Sequence, residues 1–284
     1  MLPASPETPR RLDLGIVTDE IARDLEHALE RGAAWGLRRF ELRETNTGRF
    51  PFLAPGEVRL LEDALTRGAR ITAVSPGILK GPVEDERKLN HELQEVLPKT
   101  LDLAQHVKSP VLIVFGFERQ QGEPDRNRLY VLRAFERVAE AAAEAGLIVA
   151  TENEPGFWID DPDGSVSLLE ELDHPAFRLN WDPGNLHLGG MLPGREAFET
   201  VRPYLANLHV KDFDPDDEAA PWKPVGRGQT PWPALIEWVA RETDLEHATL
   251  ETRCAPLEAN SRASLDALRL LLDGLGDSTE HPAR

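Results

Sequence analysis

The sequence predicts an α/β fold, a closed (β/α)8 TIM barrel forming one domain over residues 12–273, and three observations lead to it. Short runs rich in Val, Ile, Leu and Phe alternate with longer amphipathic stretches, in eight pairs. The long connections follow the strand-like runs rather than the helical ones. The first run is followed by TDEIARD, without the Gly-rich turn of a doubly wound nucleotide-binding sheet. Closing eight strands on themselves also removes the edges that an open sheet would expose.

In order, the predicted strands are LDLGIV (12–17), RRFEL (38–42), RITAVS (70–75), PVLIVFG (110–116), LIVATEN (147–153), FRLNWD (177–182), LANLHVKD (205–212) and HATLETR (247–253). Helical periodicity is clearest in NHELQEVLPKTLDLAQHV and RLYVLRAFERVAEAAAEAG, where apolar residues recur at three and four and a Gly ends the second. The connections ETNTGRFPFLAPGE (44–57), SPGILKGPVEDE (75–86) and FDPDDEAAPWKPVGRGQTP (213–231) follow strands. They therefore belong at the C-terminal mouth of a barrel, where active sites sit. The last of them, with Trp222 and a GRG element at 226–228, is long enough to serve as a lid. Residues 1–11 and 274–284 lack a core pattern and are expected to be flexible tails.

Of the 284 residues, 40% are apolar and 29% charged, the composition of a globular protein. Lys plus Arg number 32 against 50 Asp plus Glu, a net charge of −18 that repels phosphate backbones and argues against a nucleic-acid partner. The single Cys254 forms no intramolecular disulfide, and MLPASPETPRR has no apolar signal core, so a cytoplasmic location is expected. No apolar stretch approaches the ~18 residues of a spanning helix, which argues against the membrane. A homo-oligomer is left open.

Side chains along a strand alternate faces, so parity shows which residues share the barrel interior. Glu152 shares a face with Ala150, Asp182 with Asn180, His209 with Asn207 and Lys211, and Glu251 with Thr249 and Arg253. Four consecutive strands thus end in ionisable residues that one parity aims at the mouth. Three carboxylates and an imidazole collected there need a cation to neutralise them, most simply one divalent metal ion, Mn, Mg, Co or Zn. Singly, each residue has a plainer role: Glu152 or Glu251 as an ion-pair partner, Asp182 as the start of a turn, His209 as a packed core imidazole. Their coincidence at four strand ends favours the metal site. His187 is a candidate outer neighbour of that site or a packing residue, and DPDDE (214–218) reads as a solvated loop.

TDEIARDLEHAL, TENEPG, NWDPGN, LHVKD, GRGQTPW and TLETR resemble the corresponding segments of the xylose-isomerase-like TIM barrels, a family of sugar epimerases, inosose isomerases and dehydratases, and hydroxypyruvate isomerases. The resemblance implies that Glu152, Asp182, His209 and Glu251 hold one divalent metal and that Glu152 and Glu251 move the proton. The implied substrate is a sugar, a sugar phosphate or a polyol ketone, and the implied reaction is an isomerisation or epimerisation through a metal-stabilised enediolate. Lys211, Arg253, Asn153 and Asn185 are the expected substrate-binding residues, and Asn185 stands where many epimerases of the family have a His. Two alternatives remain, an inosose-type dehydratase on the same site and a noncatalytic sugar-binding barrel. DNA-repair members of this fold use additional His ligands, which ELRE and VSPG on the second and third strands lack.

Overall fold

Eight parallel strands close on themselves in the computed structural model, which describes residues 12–124 and 126–277. They are β1 (Asp13–Val17), β2 (Arg39–Leu42), β3 (Arg70–Val74), β4 (Val111–Val114), β5 (Ile148–Glu152), β6 (Phe177–Trp181), β7 (Leu205–Val210) and β8 (His247–Leu250). Each pairs with its sequence neighbours, and β8 returns to β1 with Gly15 opposite Thr249. The predicted strands and the barrel are therefore present. Their limits are shorter by one to three residues, because the polar strand ends turn into the mouth rather than continuing the ladder.

Alternation divides the buried residues into two cores. Ile16, Phe40, Val149, Leu179, Leu208 and Leu250 face outward and pack under the helices, whereas Ala73, Val111, Ile113 and Ala150 form a small separate cluster that fills the barrel. Two register shifts adjust which residues face inward. One extra residue enters β3 opposite Phe40 and Glu41, and another enters β7 opposite Leu179 and Asn180. Beyond the second shift, Asn207 stands opposite Asn180, so β6 and β7 aim matching positions at the mouth.

Helices begin where the sequence supplies acceptors for their free N–H groups. Asp24 accepts from His27 N ahead of Leu25–Ala34, and Asp161 accepts from Gly164 N ahead of Pro162–Leu172. The helical region 86–106 contains one wide turn, Glu92–Val96, closed by Leu97 N donating to Glu92 O. Pro98 follows with no N–H to continue the regular ladder. The Glu92 carboxylate then accepts from Leu79 N at 2.8 Å, which pins the 75–86 loop to this helix.

Three features differ from the sequence expectations. The last helix, Leu257–Asp277, runs past residue 273, because Leu275 continues the stripe of Leu268, Leu271 and Leu272 against the core; positions 1–11 and 278–284 lie outside the described residues. Two small hairpins lie within the mouth loops, pairing Glu44–Thr45 with Gly48–Arg49 and Asp212–Phe213 with Trp222–Lys223. The 213–231 loop is tied down rather than free to act as a lid. The Asp212 carboxylate accepts from Gly226 N, Gly228 N and Thr230 N at 2.8, 3.0 and 3.1 Å. A side chain at Gly228 would place its Cβ 2.4 Å from Asp212 Oδ1, so the glycine is what allows this embrace. His187 also serves that loop, with Nδ1 3.3 Å from Thr230 Oγ1 and its ring edge on Phe213.

Candidate active site

At the C-terminal mouth, Glu152, Asp182, His209 and Glu251 each offer one ligand atom, and these atoms all lie within 4.8 Å of one another. All four are buried, none more than 4% exposed. Glu152 closes β5, His209 lies near the end of β7, and Asp182 and Glu251 are the residues immediately after β6 and β8. Asp182 does two jobs at once. Its Oδ1 caps the short helix Pro183–Leu188 by accepting from Asn185 N at 2.8 Å, while its Oδ2 lies 2.8 Å from Lys211 Nζ and accepts no aligned hydrogen bond. The turn-starting and ligand-like readings of Asp182 are thus compatible, since each carboxylate oxygen serves one.

The imidazole of His209 is held between two sets of acids. Nδ1 lies 3.2 Å from Glu251 Oε2 and 3.5 Å from Glu152 Oε1, and Nε2 lies 3.0 and 3.1 Å from the two oxygens of Glu41. Glu41, on β2 and 1% exposed, fixes which ring nitrogen faces the cluster. Burial disfavours a charge on His209, but Glu41 and Glu152 prevail and hold its pKa well above the ordinary imidazole value. Burial also works against the Glu251 carboxylate, yet Lys211 and Arg43 hold it well below its usual range. Asp182 goes the other way. Its burial, with Glu152 and Glu251 beside it, outweighs Lys211 and raises it to about 7.

The substrate-binding candidates are placed differently from one another. Lys211 is 1% exposed and lies inside the cluster, 2.8 Å from Asp182 Oδ2 and 3.0 Å from Glu251 Oε2, as an internal counter-cation. Arg253 lines the cavity with Nη1 3.5 Å from Glu251 Oε1. The Asn185 amide donates to Glu152 Oε1 at 3.2 Å and to Asn153 O at 2.9 Å. The structure does not bring Asn153 to the cavity. Its side chain accepts from Asp182 N at 2.7 Å and donates to Asp182 O at 2.9 Å, clasping the ends of β5 and β6 together.

Sequence reasoning missed the β2 side of the site. Arg43 donates to Asp19 Oδ2 and Glu20 Oε1, each at 2.8 Å, and to Glu251 Oε1. The same alternation used on β5 puts Arg39, Glu41 and Arg43 on one face of β2, so the signal was present in RRFELRE. The cavity above the cluster measures about 500 Å³, within the range of small-molecule sites.

The donor set suits a divalent metal ion. Three carboxylates and one imidazole nitrogen converge, Asp182 Oδ2 among them accepts no aligned hydrogen bond, and His209 turns Nδ1 inward because Glu41 occupies Nε2.

Over 138 residues, 48% of this chain and 48% of the relative, the sequence is 35% identical to a 2-epi-5-epi-valiolone 7-phosphate 2-epimerase of Actinoplanes sp.. Over 104 residues, 36% of this chain and 37% of the relative, it is 26% identical to a 3-dehydroshikimate dehydratase of Bacillus anthracis. The chain thus spans about half or less of the length of these curated relatives. Among solved structures, the probable 3-DHS dehydratase involved in petrobactin synthesis from Bacillus anthracis superposes with a TM-score of 0.77 at 19% identity, covering 91% of this chain and 99% of that one. Residues 29–271 match the family described as xylose isomerase-like TIM barrel, and the chain belongs to that family.

Proposed function

We propose that this protein is a divalent-metal-dependent isomerase or epimerase that moves a proton beside the carbonyl of a sugar, sugar phosphate or polyol ketone. The observation that carries this reading is the buried convergence of Glu152, Asp182, His209 and Glu251 on one point at the mouth. A divalent ion held by these four would supply a Lewis acid that polarises the substrate carbonyl and lowers the barrier to an enediolate.

Glu152 and Glu251 come from strands separated by β6 and β7, so they reach the site from different sides. Lys211, beside Glu251, and His209, beside Glu152, keep both as carboxylates at neutral pH, ready to accept a proton. One takes the proton from the C–H next to the carbonyl, and the other, having first taken up a proton from solvent, delivers it to the opposite face. Lys211 and Arg43 hold Glu251 in place throughout. An elimination is the second reading, favoured by the dehydratase relative. With a hydroxyl on the next carbon, the second glutamate delivers its proton to that hydroxyl, which leaves as water, instead of to the carbon.

The test is incubation of ketoses, inososes and hydroxypyruvate with the protein and Mn in deuterated buffer, followed by NMR. Solvent deuterium should enter the C–H beside the carbonyl, and loss of water in the product marks the elimination. Glu152→Gln and Glu251→Gln should each lower exchange by ~10²- to 10⁴-fold, each from a different epimer. Absence of exchange on every substrate with Mn bound, or full turnover in both variants, overturns the reading.

A further inference from the structure

Among the described residues, Arg49 is a largely buried cation that forms no ion pair. It lies on the small hairpin after β2, and its guanidinium reaches the loop after the adjacent strand β3, where Nε donates to Ser75 O and Nη2 to Ser75 Oγ, each at 3.2 Å. Both acceptors are neutral. The other cations lining the same cavity are paired. Lys80 lies 2.8 Å from Glu154, Arg23 lies 3.0 Å from Glu44, Arg253 lies 3.5 Å from Glu251, and Arg43 holds Asp19, Glu20 and Glu251. Among the described residues Arg49 makes no salt bridge. In a chain of net charge −18, a cation left unpaired in the cavity is a specific arrangement.

The site is built to hold that guanidinium still. It lies against the backbone of Gly77, where a Cβ would come 2.4 Å from Nε and 2.7 Å from Cζ. Gly77 also has φ +75°, which disfavours other residues. The 75–86 loop that presents Ser75 and Gly77 is itself pinned by Glu92 on Leu79 N. Of the five N–H groups of a guanidinium, two are on Ser75 and the rest are available to a ligand. Burial and the nearby Arg43 outweigh the more distant Asp19, Glu44 and Glu152 and lower the Arg49 pKa.

We propose that Arg49 binds an anionic group, phosphate or carboxylate, on the part of the substrate remote from the reacting carbonyl, so that the substrate is an acidic polyol ketone rather than a neutral sugar. This inference rests on the proposed chemistry for the identity of the reacting end, but the anion site itself stands on Arg49, Ser75 and Gly77. A planar guanidinium with free N–H groups matches two oxygens of either anion, and in a partly desolvated pocket the contact is charge-assisted.

Isothermal titration calorimetry of the purified protein tests it, with D-fructose, D-fructose 6-phosphate, 5-keto-D-gluconate and inorganic phosphate as probes. At least one anionic ketose should bind tenfold or more tightly than fructose, and the margin should shrink with salt. The tighter of the two anionic arms identifies phosphate or carboxylate. Arg49→Gln keeps a donor to Ser75 without the charge and should abolish the preference. Arg49→Lys should retain part of it, and Gly77→Ala, which displaces the guanidinium, should behave like Arg49→Gln. A thermal midpoint within a few degrees of wild type in these variants shows that the fold is intact. Equal binding of charged and neutral ketoses, no binding of any anion, or a preference that survives Arg49→Gln overturns the assignment. The two readings fail separately: an Arg49-dependent anion preference without C–H exchange on any probe sinks only the proposed chemistry, whereas exchange with no charge preference sinks only the anion site.

Discussion

Glu41→Gln is the sharpest probe of how the cluster is held, because Glu41 meets its histidine at Nε2, the nitrogen away from Glu152 and Glu251. Both Glu41 oxygens lie 3.0–3.1 Å from His209 Nε2, and Oε2 also accepts from Asn207 Nδ2 at 3.3 Å. The carboxylate therefore holds a proton on Nε2 and leaves Nδ1, which donates toward Glu152 and Glu251 in the metal-free protein, as the nitrogen that would lose its proton and ligate a metal. Glutamine preserves volume and one acceptor oxygen but removes the charge that makes His209 a strong donor, and half of its amide orientations set an NH2 against Nε2–H. Losing such an outer partner costs about 10- to 100-fold in metal affinity, or roughly 1.4–2.7 kcal/mol. Competition between the protein and a chelating dye for Mn or Co measures that change directly, and the Co absorption spectrum reports the altered ligand field. The thermal midpoint of the metal-free variant serves as the fold control. Wild-type affinity within twofold, together with an unchanged Co spectrum, would show that Glu41 does not orient the ligand.

Three further outcomes follow from other contacts. Lys211→Ala leaves Asp182 and Glu251 buried without their shared counter-cation, so the metal-free protein should lose about 3–5 kcal/mol; Mn should restore most of it, and an unchanged metal-free thermal midpoint would refute the counter-cation role. Asp212→Ala removes the acceptor of three backbone N–H groups and should cost roughly 3 kcal/mol; limited proteolysis should then cut within 213–231, and wild-type cleavage rates would contradict the tethering. His247 is kept neutral because burial, with Arg39 nearby, pushes its pKa from 6.5 down to about 4. Between these values the unfolded chain binds more protons at this position than the folded one, so stability falls as pH drops through the window, by about 3 kcal/mol at its lower end. Chemical denaturation across pH 7 to 4 should show this component in the wild type and lose it in His247→Gln; parallel curves would refute it.

The sequence by itself determined the strand order, the barrel and the side-chain parity that collects Glu152, Asp182, His209 and Glu251, because two-residue alternation and apolar run length are local properties. It contained the β2 positions as well, since Glu41 and Arg43 obey the same alternation. What they contact was another matter. Glu41 meets His209 across 168 positions of chain, a pairing created by closure of the barrel, which turns non-neighbouring strands toward a shared interior. Lys211 looked like an outer substrate contact one step beyond His209, but its ammonium is buried between two carboxylates. Asn153 looked equally available, and the ends of β5 and β6 consume its amide. The 213–231 loop had the length of a lid, and the buried Asp212 carboxylate, with a small hairpin, holds it down. Tertiary structure decided these cases because buried polar groups must find partners, and which partners lie within reach is set by the closed barrel and not by spacing along the chain.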